Sequence, residues 1–508
     1  MRSERPSPAY PRLTAARAAT PSETGAAWRA HRASALRTVS LGLLGFVGGL
    51  PGCVSLAPAD APVPSVDVPA AWSPADAAGA GADGVSAASL NAWWQRFDDP
   101  QLAALMDSAL RANTGITGAQ AALRQAQALR DVAVAALWPA VNGQGTAERS
   151  KTPGLSTGNS FQLSANGSWT IDIFGAQRAA VDAAQAGVWA SQASLGDVQV
   201  QIAAEVALDY IVLRTAQVRR VIAGDNLASQ ENTLQITLWR QLAGLVTSLE
   251  TDQARSAVEQ NRALLPALQT SILQSQHALA VLTGLPPTSW PELLDPNVVA
   301  TIPQAHDGLV LAIPAATLRQ RADVRATEQE VAAALARVRQ AQANRRPSFA
   351  IDGTLGLDAA TVGLLGNSGA LLGSLLANVT VPLLNGGGLR AQVRVQQAAL
   401  AQAQATYRAA VLGALQQVED ALVALNGDRL RLASLRLAAD AATNASLIAR
   451  QRYASGLIDF QTVLDTQRTQ FATQDGAASA SADVGSDHVR LFKALGGGWP
   501  SEPRAQNP

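Results

Sequence analysis

Phe161-Gln162-Leu163-Ser164-Ala165-Asn166-Gly167-Ser168-Trp169-Thr170-Ile171-Asp172-Ile173-Phe174 alternates in chemistry with a period of two. Phe161, Leu163, Ala165, Gly167, Trp169, Ile171 and Ile173 are apolar or small, and the even positions up to Asp172 are all polar. Successive side chains of a strand point to opposite faces, so this pattern predicts one strand with an apolar and a polar side. Soluble strands usually run about 5–6 residues. Barrel strands that cross a bilayer need about 9–11. The length therefore favours a membrane strand with lipid on one side and water on the other. A soluble amphipathic sheet is the alternative.

The same device recurs on either side. Val141 to Glu148 alternates, with Asn142, Gln144, Thr146 and Glu148 on one face. Phe349, Ile351, Gly353, Leu355 and Leu357 repeat it, and it returns through Leu375, Ala377, Val379, Val381 and Leu383. These stretches predict two hairpins, at 140–174 and 348–384.

The two hairpins belong to a duplicated unit. Gly175-Ala176-Gln177-Arg178 matches Gly387-Gly388-Leu389-Arg390, Gly244-Leu245-Val246 matches Gly456-Leu457-Ile458, and Leu282-Thr283-Gly284 matches Ala494-Leu495-Gly496. Each pair is 212 positions apart, whereas Pro139 and Pro347 are 208 apart. The difference falls in a hairpin loop, where length is tolerated. A period near 200 residues is too long for a solenoid and marks one duplicated half. The organisation expected is a first repeat over 85–287, a linker over 288–302, a second repeat over 303–499 and a tail over 500–508.

Within each unit the strands lie between helices. Asp99-Pro100 is an N-cap and N1 pair, followed by Leu102, Leu105, Met106 and Leu110 at helical spacing, which predicts a helix to about Leu137. After each hairpin comes a long stretch without proline, from about Ala176 to Leu242 and from about Leu389 to Ser455. A helix of some 65 residues would be about 100 Å long and needs equally long partners. Return helices are expected from about Leu249 to Leu282 and from Phe460 to Leu495. The fold class is thus mainly α with a transmembrane β-barrel contribution. Four strands do not close a barrel, and open edges in lipid cost several kcal/mol for each unpaired backbone group. Closure takes at least about eight strands, so sister subunits must supply the rest; pattern alone leaves two or three chains open.

Composition excludes other classes. The 508 residues carry a formal net charge of +0, against the basic excess of a nucleic-acid binder. Cys53 is the only cysteine, and His31, His277, His306 and His488 have no ligand spacing, so no metal or cofactor is expected. No nucleophile and base suggest an enzyme. Arg29, Arg32 and Arg37 precede the apolar run Val39 to Leu50, which fits a signal peptide within 1–52 and is too short to span a bilayer. Residues 53–84 follow as a tether rich in Ala, Pro, Asp and Gly.

These residues resemble known ones. Leu50-Pro51-Gly52-Cys53 resembles a bacterial lipobox, which implies lipidation of Cys53; Val54, where retained lipoproteins tend to have Asp, implies the outer membrane. Ile171-Asp172-Ile173-Phe174-Gly175, Pro382-Leu383-Leu384-Asn385-Gly386-Gly387, Arg321-Ala322-Asp323-Val324-Arg325 and Leu495-Gly496-Gly497-Gly498-Trp499, in that setting, resemble the TolC-like outer membrane efflux proteins. The likeness is to the lipoprotein branch that serves resistance-nodulation-division (RND) pumps. It implies a homotrimer with a twelve-stranded barrel and a helical periplasmic tunnel, working with a periplasmic adaptor and an inner-membrane RND-type transporter. It implies neither cofactor nor chemistry. The resemblance also places a gate at the periplasmic tip, at the turns Gly244 and Gly456, where Tyr453 would pair with Glu250 and Asp465 would form an acidic ring. The family's other acidic ring would fall at Thr462, so that ring is expected to be absent. A protein-secretion duct of the type I kind shares this architecture, and a periplasmic coiled-coil lipoprotein without a pore shares its helices.

Overall fold

The computed structural model describes residues 67–69, 72, 92–151, 157–292, 301–305 and 314–497. Cys53 with its lipobox, most of the tether, the middle of the linker and the tail from Gly498 lie outside the described residues.

The first half runs α1 (Pro100–Ala112), α2 (Thr114–Ala135), β1 (Ala140–Ser150), β2 (Gly158–Ile171), α3 (Ala176–Leu242), α4 (Ser248–Arg262) and α5 (Leu264–Leu282). The second runs α6 (Pro314–Gln320), α7 (Ala322–Ala343), β3 (Ser348–Ala359), β4 (Leu371–Thr380), α8 (Gly388–Ala454) and α9 (Phe460–Ala494). Helices α3 and α8 are each 67 residues long, about 100 Å at the usual rise. Both start behind a left-handed glycine, Gly175 at φ 78° and Gly387 at φ 84°, a backbone turn that residues with a Cβ rarely adopt.

Three sequence expectations need correction. The single helix expected from Pro100 to Leu137 is two helices, because Asn113 is extended and its side chain accepts from the amides of Gly115 and Ile116, capping α2. The first return helix is broken at Ala263, ahead of Pro266, whose ring nitrogen has no proton for a helical bond. Its counterpart at the 212-residue offset is Ala478, within the unbroken α9. The strands also stop short of the alternation. Strand β2 ends at Ile171, and Asp172 turns to accept the amide of Arg178 at 2.8 Å; β4 ends at Thr380, just before Pro382.

The duplication survives in three dimensions. Asn113 Nδ2 donates to Leu282 O at 2.9 Å, and Arg321 Nη1 donates to Ala494 O at 2.8 Å. These two pairs are related by the 208- and 212-residue offsets of the sequence. In each half a buried side chain at the break before α2 or α7 closes the end of the return helix. Ala322, where the family pattern has Pro, is the first residue of α7, a position that tolerates either. Gly284 seals the first of these contacts: at φ 77°, a Cβ there would stand 2.5 Å from Ala112 O.

Helix α3 packs along α2, α4, α5, α7 and α9, while α8 packs along α7 and α9. The main apolar core lies midway along the long helices. There Trp93 stacks on Phe492 at 5.1 Å, and Leu102, Leu105 and Met106 of α1 are fully buried. No helix among the described residues is long and apolar enough to cross a membrane.

Candidate functional site: a two-faced sheet and a helical tip

The four strands form one antiparallel sheet in the order β1-β2-β3-β4. The β2–β3 ladder joins the two repeats. Over β1, β2 and β3 the register keeps like with like, whereas Asp352 of β3 faces Leu376 of β4. Asn142 faces Asn166, Gln144 faces Ser164, and Asn166 in turn faces Thr354. On the other side Leu163 faces Leu357, Trp169 faces Ile351, and Ile351 faces Ala377. A one-residue slip would exchange the faces, so the alternation fixes the pairing.

The polar face is cross-linked by side chains. Thr354 Oγ1 donates to Asn166 Oδ1 at 3.0 Å, Asn166 Nδ2 to Ser164 Oγ at 3.2 Å, and Asn378 Nδ2 to Asp352 Oδ2 at 2.7 Å. The apolar face has no cover among the described residues: Val141, Leu163, Leu355 and Leu375 are all more than half exposed. Trp169 Nε1 donates to Leu137 O at 2.9 Å, tying the sheet to the end of α2. Among the described residues β1 pairs only with β2 and β4 only with β3, so no described strand covers either outer edge.

At the far end of the helices, Gly244 (φ 72°) and Gly456 (φ 75°) turn α3 into α4 and α8 into α9. Both turns close in the same way. Gly244 N donates to Gln241 O and Leu245 N to Arg240 O; Gly456 N donates to Tyr453 O and Leu457 N to Arg452 O. This double bond with a left-handed glycine is a Schellman cap. Gly244 and Gly456 thus each stand in the turn between a long helix and the helix that follows it.

The other expected tip residues are partnered differently. Tyr453 is buried, its ring 5.9 Å from that of Phe460, and its hydroxyl lies 3.3 Å from Thr237 Oγ1. Glu250 is not its partner within the subunit. Glu250 closes a capping box with Thr247, accepting from the Thr247 amide at 3.0 Å and from the Thr247 hydroxyl. The Thr247 side chain holds the Glu250 carboxyl below the usual carboxylate range. Asp459 caps α9 through the Thr462 amide at 2.8 Å, and the Thr462 side chain lowers its carboxyl likewise. Asp465 is exposed on α9, accepts from Gln461 Nε2 at 2.9 Å and has Arg468 at 4.0 Å. Arg240 was not singled out in the sequence. Its Nη1 donates to Tyr453 O at 2.7 Å, and its guanidinium carbon lies 4.5 Å from the Tyr453 ring centroid. The available signal was a basic residue in the last turn of a helix, common near any helix C-terminus.

Among the described residues no cluster of His, Cys, Asp or Glu could hold a metal ion. The model of the outer membrane efflux protein family matches residues 105–285 and 313–497, one segment in each repeat. The chain belongs to that family. This outer membrane efflux protein is 30% identical over 469 residues to the pyoverdine export outer membrane protein OpmQ of Pseudomonas putida, covering 89% of this chain and 97% of that one. It is also 30% identical over 459 residues to the toluene efflux pump outer membrane protein TtgI of Pseudomonas putida, covering 89% and 96%. The solved outer-membrane channel OprN superposes with a TM-score of 0.76 at 29% identity, over 85% of this chain and 98% of that one. The Campylobacter jejuni CmeC channel shares the fold with a TM-score of 0.77. The chain is thus a TolC-like protein of the outer membrane, with a function in efflux.

Proposed function

We propose that three copies of this chain join their sheets edge to edge into a twelve-stranded barrel whose polar faces line a water-filled lumen. The long helices continue that lumen through the periplasm. The assembly is the passive exit duct of a tripartite efflux system, fed by a periplasmic adaptor and an inner-membrane RND-type transporter. Cys53 anchors each subunit by its lipid. The observation that carries this reading is the four-stranded sheet with one apolar face, one hydrogen-bonded polar face and two outer edges that no strand among the described residues pairs. Unpaired edges are not tolerated in lipid, and closure with sister sheets removes them.

At the tip, Tyr453 holds the end of α8 against α3, Glu250 fixes the first turn of α4, and Asp465 contributes a ring of negative charge near the axis. Rings of carboxylates attract cations and repel anions. Planar lipid bilayers test both parts: the purified protein should give stepwise conductance with a cation preference, and Asp465→Ala should reduce that preference. Absence of conductance would count against the duct, and unchanged selectivity against the role of Asp465.

A further inference from the structure

Where the sheet meets the helices, the ends of β2, β3 and β4 and the adjoining ends of α3, α7 and α8 border a cavity of about 490 Å³. Pockets that take small molecules usually measure about 300–1,000 Å³. The cavity opens on the polar side of the sheet. Thr170, Ser348 and Thr380 line it, and the register puts all three on that face. In the exit duct that face lines the lumen. Phe174, Pro382 and Leu389 add an apolar wall.

Two charged side chains line the cavity, Asp172 and Arg346. Asp172 is already compensated: its carboxylate accepts from the Arg178 amide at 2.8 Å and from Arg178 Nε at 3.3 Å. Arg346 is exposed in the connection from α7 to β3, and its side chain has no partner among the described residues. The cavity therefore holds one uncompensated positive charge. The polar face of the strands beyond it carries Glu148, Asp352 and Asp358 and, among the described residues, no Lys or Arg. The charge is not a product of the duplication, because the counterpart of Arg346 at the 208-residue offset is Trp138. A free guanidinium takes a carboxylate or sulfonate through paired N–H bonds. The apolar wall beside it takes hydrocarbon out of water. A neutral hydrocarbon would gain only the wall, and a small anion only the guanidinium.

We propose that this cavity is a lumenal binding site for amphipathic organic anions among the molecules that pass through the duct, with Arg346 holding the anionic group. The inference rests on the exit-duct reading and deepens it, because it names a class of cargo. Three copies of Arg346 around the lumen give such an anion a counter-charge at the entrance to a barrel wall whose carboxylates repel it.

The test measures block of the single-channel current of the full-length protein in planar lipid bilayers by naphthoate. Acetate and neutral naphthalenemethanol are the comparison probes, and circular dichroism is the fold control. Naphthoate should block at about ten-fold lower concentration than either comparison probe. Arg346→Gln should raise its half-blocking concentration about ten-fold, and Arg346→Lys should recover part of the loss. Leu389→Ala should raise it about three-fold. Arg345→Gln removes a neighbouring charge that does not line the cavity and should leave it unchanged. Equal block by naphthoate and naphthalenemethanol, or a native half-blocking concentration in a folded Arg346→Gln channel, would overturn the site. An equal loss in Arg345→Gln would overturn it too, by reducing the effect to general surface charge. Absence of conductance from the native protein would overturn the duct reading and the cargo site with it.

Discussion

At Asn113 one side chain performs two tasks: it caps α2 and bonds the last turn of α5. Asn113→Ala should destabilise the subunit by about 1–2 kcal/mol, measured by denaturant unfolding of the detergent-solubilised protein. At the tip, Glu250 and Asp459 cap the two return helices with carboxyls held below their ordinary values of 4.5 and 3.8. A lowered folded-state value means that the contribution is complete above the ordinary value and is lost as pH falls through the lowered one. The first turns of α4 and α9 should therefore lose amide protection selectively below about pH 4, read as protection factors from hydrogen exchange. Protection unchanged down to full protonation would contradict the capping roles. At this scale the sequence showed the glycine turns, because a left-handed helix end requires that residue. It did not show Thr237 or Arg240, because their partner Tyr453 is more than 200 positions away and nothing local marks the bond. The expected Tyr453–Glu250 pair fails for a local reason: Thr247 is three residues from Glu250 and satisfies it first.

The strands were legible as elements because apolar and polar residues alternate along most of their length, most regularly in β2, though Leu372 and Leu376 interrupt the pattern in β4. That separation makes a paired prediction. Leu163→Arg, on the apolar face near the middle of β2, should cost about 2–4 kcal/mol and impair membrane assembly, whereas the adjacent Gln162→Arg should assemble. Heat-resistant oligomers on a gel would report both, and equal behaviour of the pair would contradict the assignment of faces. The helix breaks were less legible. Between Asp99 and Leu137 the apolar spacing continues through Asn113, and only Asn113 with Gly115 signals the new cap. Pro266 was a clear signal on α5, yet its effect depends on whether the helix needs that amide. Pro266→Ala should fuse α4 and α5, as in the unbroken α9, and add about 1 kcal/mol, seen as new amide protection at position 266. Unchanged exchange across 263–266 would show that packing, not proline, sets the break.

For the whole molecule, the duplication explains why one chain provides two hairpins and two helical arms. The offsets of 208 and 212 residues reappear in the bonds from Asn113 to Leu282 and from Arg321 to Ala494. The number of subunits was not legible from periodicity, since both two and three chains give enough strands. The proposed function sets it at three, and Val423, Leu430 and Leu437, exposed at heptad spacing on α8, are apolar residues that such an assembly would cover. The most direct measurement is the protein mass of the detergent-purified particle by light scattering with the detergent contribution removed. Three chains per particle is the result expected of a closed twelve-stranded duct. One chain per particle, with its sheet edges open, would contradict it.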